Sequence, residues 1–181
     1  MRQVRCHQLW WIVILEFALI KPGWSDDMVP VGYQAVARET GIPHSLLYSI
    51  ALTESGKSVG TTRTYRPWPW TLNVAGQGYF YKSRQLAWRA LKKWLDQGES
   101  SIDIGLMQVN WRYHEARLQT PWQALDPYFN LRIGAAILQD CYSKRQDWWA
   151  SVGCYHSPTN GKRAEQYRRR VIARWQRVVN T

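Results

Sequence analysis

A lone glutamate carries the first chemical signal in this sequence. Leu47, Ile50, Ala51 and Glu54 recur at i, i+3, i+4 and i+7, the spacing of one helix face. Three are apolar and one is a carboxyl. A carboxyl on a face that loses water on folding is harder to ionise, so its pKa rises. A proton retained near neutrality is what a general acid needs. The spacing alone leaves a second option open, because Glu54 lies one turn from a helix end and could face solvent or pair with an arginine. Further along, Gly105-Leu-Met-Gln108 follows Asp103-Ile104 at a turn-like transition. Glycine there lets the backbone approach a ligand closely. Gln108 and Asn110 add neutral donors and acceptors suited to sugar hydroxyl and acetamido groups.

The elements that must position these groups are mostly helical. Val31–Thr40 reads as a helix closed by Gly41 and Pro43, and His44–Ser55 as a second, stopped by Gly56. Residues 57–69 are polar, carry Gly60, Pro67 and Pro69, and read as a loop. Trp70–Val74 alternates apolar and polar residues, and Ala-Gly-Gln-Gly leads to Tyr79-Phe-Tyr81, which predicts a small β-hairpin. Ser83 caps a helix over Arg84–Gln97 with Leu86, Ala90, Leu91, Trp94 and Leu95 inward. Thr120-Pro121 and Asp126-Pro127 each place a capping side chain before a proline at the first helical position. The second opens a long helix through Leu131, Ala135, Ile137 and Leu138. Trp148–Tyr155 and a basic segment after Gly161 complete the set. The fold class is α+β, predominantly α, in one domain with a small β element.

The chain has 181 residues and a formal charge of +11, from 24 Lys+Arg against 13 Asp+Glu. That balance calls for an anionic partner. No apolar run is long enough for a convincing membrane span. Residues 1–25 have the order of a secretory signal peptide: Arg2 and Arg5, the apolar stretch Leu9–Ile20, then Gly23-Trp-Ser25; an N-terminal anchor or a first core helix is the alternative. The domain would then occupy 26–181, with a net charge of +9 once Arg2, Arg5, Lys21 and Glu16 are removed, and the location would be periplasmic. Cys6 leaves with the leader. Cys141 and Cys154 remain, thirteen positions apart, and in an oxidising compartment are either bridged or two buried thiols. His44, His114 and His156 show no metal-ligand spacing, and no glycine-rich phosphate motif occurs, so neither metal nor cofactor is expected.

In combination these segments resemble the soluble lytic transglycosylases with a goose-lysozyme-like catalytic domain, over roughly Pro30 to Lys162. Ala51-Leu-Thr-Glu54-Ser55 looks like the family's Glu-Ser signature. Gly105-Leu-Met-Gln108-Val-Asn110 looks like its second motif, and Asn130-Leu-Arg-Ile-Gly134-Ala-Ala-Ile137-Leu138 like the helix that follows. Cys154-Tyr155-His156-Ser157 stands where the family has Ala-Tyr-Asn, so Tyr155 is kept and His156 replaces Asn. The insert from Pro67 to Tyr81 is similar to that of specialised transglycosylases that serve conjugation, type III secretion and pilus machines.

The resemblance implies a lysozyme-like fold and a single catalytic carboxyl. Glu54 would protonate the oxygen between N-acetylmuramic acid and N-acetylglucosamine in peptidoglycan, and would then deprotonate the C6 hydroxyl that closes a 1,6-anhydro ring. Ser55 and Tyr155 would orient the sugar or Glu54, and Met107, Gln108 and Asn110 would line the groove; the alternatives are a hydrogen bond at the helix C-terminus for Ser55 and core packing for Met107. Asp103 is the alternative second carboxylate: holding a water, it would make the enzyme a lysozyme-type hydrolase, and otherwise it reads as a loop-capping residue. A noncatalytic glycan-binding subunit of the same apparatus is the other alternative. Tyr65, Trp68, Trp70, Tyr79, Phe80 and Tyr81 crowd 17 positions, and two or three of them are expected to face glycan. The basic C-terminal stretch reads as a solvated arginine face or an attraction to anionic cell wall; a monomer without nucleic acid is expected.

Overall fold

The computed structural model describes residues 29–61 and 64–180. The leader expected over residues 1–25, with Cys6 in it, lies outside the described residues. The helices are α1 (Val31–Thr40), α2 (His44–Ser55), α3 (Arg84–Asp96), α4 (Trp111–Leu118), α5 (Pro121–Ala124), α6 (Pro127–Arg145), α7 (Trp148–His156) and α8 (Gly161–Val179). The strands are β1 (Gly56–Val59), β2 (Thr64–Pro67), β3 (Thr71–Val74), β4 (Gln77–Phe80), β5 (Ile102–Ile104) and β6 (Val109–Asn110). The α+β, mainly helical lysozyme-like class read from the sequence is the class observed.

Local chemistry explains most boundaries. Gly41 adopts φ 70° at the end of α1, and its N–H bonds Ala37 O, the left-handed cap that glycine supplies without a Cβ clash. Thr120, Asp126, Asp147 and Asn160 accept bonds from the first turns of α5, α6, α7 and α8. Each satisfies an otherwise orphaned N–H. Ala75 and Gly76 both have positive φ between β3 and β4, as a two-residue hairpin turn requires.

All pairings are antiparallel. One sheet runs in the order β4-β3-β5-β6, and β1 pairs with β2 in a separate ribbon. That ribbon corrects the expectation of a loop over 57–69. None of its residues is fully buried, so no apolar alternation marks it. Pro67 pairs with Gly56 at the ribbon's end, where a missing N–H is tolerated. Gly56 itself is required by contact: a Cβ there would lie 2.3 Å from the Tyr65 ring and 2.2 Å from Leu52 O.

The core gathers α2, the sheet and α6 around Leu47, Ile50, Leu72, Ile104, Met107 and Leu138, all fully buried. Leu86, expected inward on α3, is 45% exposed, and Ala87 with Leu91 takes the buried side. Ala90, Trp94 and Leu95 pack against the core as expected, so Leu86 alone departs from the inward face. Cys141 and Cys154 form a disulfide tying α6 to α7.

Candidate active site

Glu54 occupies the last turn of α2, with its side chain only partly accessible. Its Oε1 accepts a 2.5 Å hydrogen bond from the hydroxyl of Tyr167 on α8. Tyr167 is 1% exposed. Burial pushes the Glu54 carboxyl from its ordinary 4.5 up to about 7. The Tyr167 bond pulls downward, the nearby Asp103 charge adds to the rise, and Arg170 opposes it. The result is an acid that keeps its proton near neutrality beside a donor that can steady its anion. Burial, followed by the Glu54 charge, holds the Tyr155 and Tyr167 hydroxyls well above the ordinary tyrosine range, so both stay protonated donors.

The loop Gly105–Gln108 is fastened to three helices. Ser55 donates to Leu106 O at 2.8 Å from α2. Asn130 on α6 accepts from Met107 N–H at 2.9 Å and donates to Ile104 O and Ala124 O. Tyr155 on α7 donates to Met107 O at 2.7 Å. Gly105 turns at φ 80° and Gln108 at φ 45°. A Cβ at Gly105 would lie 2.5 Å from Asn130, and one at Gly134 2.5 Å from Met107. Both glycines are therefore needed for close approach, one by the loop and one by the helix beneath it.

These bonds decide between the readings left open for Ser55 and Met107 and revise the role expected of Tyr155. Ser55 is 1% and Met107 0% exposed, so neither side chain lines a groove; Ser55 anchors the loop and Met107 fills the core. The Tyr155 proton is committed to Met107 O, and the bond to Glu54 comes from Tyr167. Asp103 is not a loop cap. It lies in β5, in register with Asn73 and Asn110, and accepts from Asn110 Nδ2 at 2.8 Å. Burial raises its carboxyl, which the Asn110 bond partly offsets. Gln108 and Asn110 stay partly accessible. Gln108 Nε2 donates to Gly105 O at 2.9 Å, and Asn110 Oδ1 is a buried acceptor with no protein partner among the described residues.

Sequence reasoning missed Tyr167 and Arg170. His156 stacks on the Tyr167 ring at 4.3 Å and 4°, and the Arg170 guanidinium sits 5.4 Å from the same ring. Of the six aromatics from Tyr65 to Tyr81, Tyr65 and Phe80 are exposed. Lys57 lies over Trp68 and Phe80 at 5.1 and 5.3 Å.

The family model described as Transglycosylase SLT domain matches residues 33–175, from α1 into α8. This chain belongs to the transglycosylase SLT family. The match spans Glu54, the Gly105–Gln108 loop, Tyr155 and Tyr167, and membership makes peptidoglycan the substrate and glycan-strand lysis the general activity. Comparison with curated proteins and with solved structures gives no match. Within the SLT domain, the donor to Glu54 comes from α8, a helix whose sequence reads chiefly as basic.

Proposed function

We propose that Glu54 acts alone, first as general acid and then as general base, in a lytic cleavage of peptidoglycan that leaves a 1,6-anhydromuramoyl end. The observation that carries this is the Glu54 carboxyl, partly accessible, raised to about 7 by burial and held by the Tyr167 hydroxyl. Protonated Glu54 gives its proton to the glycosidic oxygen as the C1–O4 bond between N-acetylmuramic acid and N-acetylglucosamine breaks. The muramoyl acetamido group donates electron density to the cationic C1. The Glu54 carboxylate, stabilised by Tyr167, then removes the C6 hydroxyl proton as O6 bonds to C1. Glu54 ends protonated again and no water is consumed. General acid–base action of this kind supplies roughly 10²–10⁴-fold, and positioning supplies the rest. The test is Glu54→Gln: it should release no anhydromuropeptides from sacculi while still binding them. Undiminished lysis would remove Glu54 from the chemistry, and binding without any wild-type lysis would favour a noncatalytic subunit.

Asp103 supports a second reading, because its charge reaches Glu54. With a water on Asp103 the product would be a reducible end, as in a glycosidase with two carboxylates. Asp103 is itself raised and engaged by Asn110, which favours the single-carboxyl route.

The setting we propose is the periplasm, reached through the 1–25 leader, where the enzyme opens the wall locally for a secretion, conjugation or pilus apparatus and works as a monomer. Fractionation of cells expressing the full chain checks the location.

A further inference from the structure

His156 is the residue by which the Cys154–Ser157 segment departs from the family pattern, and the chemistry assigned to Glu54 does not use it. It is the last residue of α7. Its ring lies flat on that of Tyr167, with 4.3 Å between centroids and 4° between planes. His156 is itself exposed, whereas Tyr167 beneath it is 1% exposed. The imidazole is therefore an outer layer over Tyr167, and without it that face of the phenol would meet water. Among the described residues neither ring nitrogen of His156 has a protein hydrogen-bond partner. The face of the ring, not its edge, makes the contact.

What lies beneath is the acid. The Tyr167 hydroxyl bonds Glu54 Oε1 at 2.5 Å, and burial is the largest influence raising the Glu54 carboxyl to about 7. Glu54 is still partly accessible, so it keeps its proton only while water reaches it sparingly. Water admitted along the Tyr167 ring would solvate the carboxylate and donate hydrogen bonds to it, and both effects favour the ionised form. A flat, neutral ring closes that route. Its setting keeps His156 neutral: burial first, then the Arg170 and Arg163 charges, hold the imidazole below its ordinary range. Both arginines belong to α8, one on each side of Tyr167 in the sequence. Arg169, in the same recess, is paired with Glu165. Glu54 on α2 stands at the far end of Tyr167, and Trp148–Tyr155 of α7 carries no charged side chain.

We propose that His156 is a positioning residue for the lytic reaction, its ring sealing Tyr167 so that the Tyr167–Glu54 hydrogen bond stays dry. This rests on the general-acid role proposed for Glu54. The rival role is a direct contact with glycan, since His156 also lines a recess with Gln166 and the α8 arginines. A glycan contact would use the ring nitrogens and would show in KM.

The experiment compares wild type with His156→Ala, which removes the cover, and His156→Phe, which keeps a stacked ring without its nitrogens. In His156→Ala the alkaline limb of kcat/KM on sacculi should move down by about one pH unit, leaving the rate at pH 8 about tenfold lower through kcat, with KM unchanged. His156→Phe should restore the wild-type limb. A second arm needs no turnover. The proteins are labelled with 13C-carboxyl glutamate, and the Glu54 signal is assigned by its loss in Glu54→Gln. Its titration by NMR should follow the same order: wild type and His156→Phe together, His156→Ala about one pH unit lower. That order in a protein that releases no anhydromuropeptides would remove the lyase assignment and leave the seal standing. A Glu54 titration unchanged in His156→Ala, or moved upward as expected for Tyr167→Phe, would overturn the proposal. So would a His156→Phe variant that behaves like His156→Ala, or a loss confined to KM.

Discussion

Two neighbours pull on the Glu54 carboxyl in opposite directions. Tyr167 stabilises the anion and Asp103 destabilises it. In the route proposed above Glu54 enters the reaction protonated, so kcat/KM should fall as pH rises through its pKa of about 7. Tyr167→Phe removes a downward influence, so that alkaline limb should move to higher pH, with a lower rate at every pH because the carboxylate loses its donor. Asp103→Asn removes an upward influence and should move the limb to lower pH. Profiles of kcat/KM on sacculi check both, and shifts of the same sign would refute the assigned electrostatics. Glu54 was legible as a carboxyl on an apolar face. Tyr167 was not, although Tyr167, Val171 and Val178 are all buried on one side of α8. The arginine run around it dominates the composition of that segment and hides the narrow buried stripe.

At the scale of elements, Asn130 is the fastener with most at stake. It is fully buried and makes three bonds to the loop and its surroundings. Asn130→Ala would leave the Met107 N–H and two carbonyls without their partner. About 2–4 kcal/mol of stability should be lost, measured by urea unfolding, with lysis reduced at temperatures where the variant is folded. The segment around Asn130 was readable as a helix because Asp126-Pro127 announces its start. Its hold on Met107 was not readable, since a side chain reaching across 23 positions leaves no local pattern. The β1–β2 ribbon was missed for a related reason. Polar, two-sided strands lack the alternation by which strands are read, and Gly60 and Pro67 look like loop punctuation until Tyr65 is seen packed over Gly56.

For the whole molecule, the buried Glu54 carboxyl works against stability above its ordinary pKa. Glu54 binds its proton more tightly folded, at about 7, than at its ordinary 4.5. Between those values the folded state holds more protons than the unfolded chain, so stability falls as pH rises through that window. Glu54→Gln should therefore be more stable than wild type at pH 8, by about 1–3 kcal/mol, and nearly equal to it at pH 4. Thermal unfolding at the two pH values measures this, and a gain at pH 4 as large as that at pH 8 would contradict it. The Cys141–Cys154 disulfide acts through the unfolded chain instead. It closes a loop of 13 positions, and its removal by paired Ser substitutions should cost about 3 kcal/mol.

The most direct test is mass spectrometry of borohydride-reduced fragments from sacculi digested with wild type, Asp103→Asn and Glu54→Gln. Fragments ending in 1,6-anhydromuramoyl groups, lighter than a reduced muropeptide by one water and two hydrogens, should appear with wild type and Asp103→Asn and vanish with Glu54→Gln. Reducible ends from wild type, or anhydro ends still formed at the wild-type rate by Glu54→Gln, would contradict a single carboxyl that first gives and then reclaims the proton.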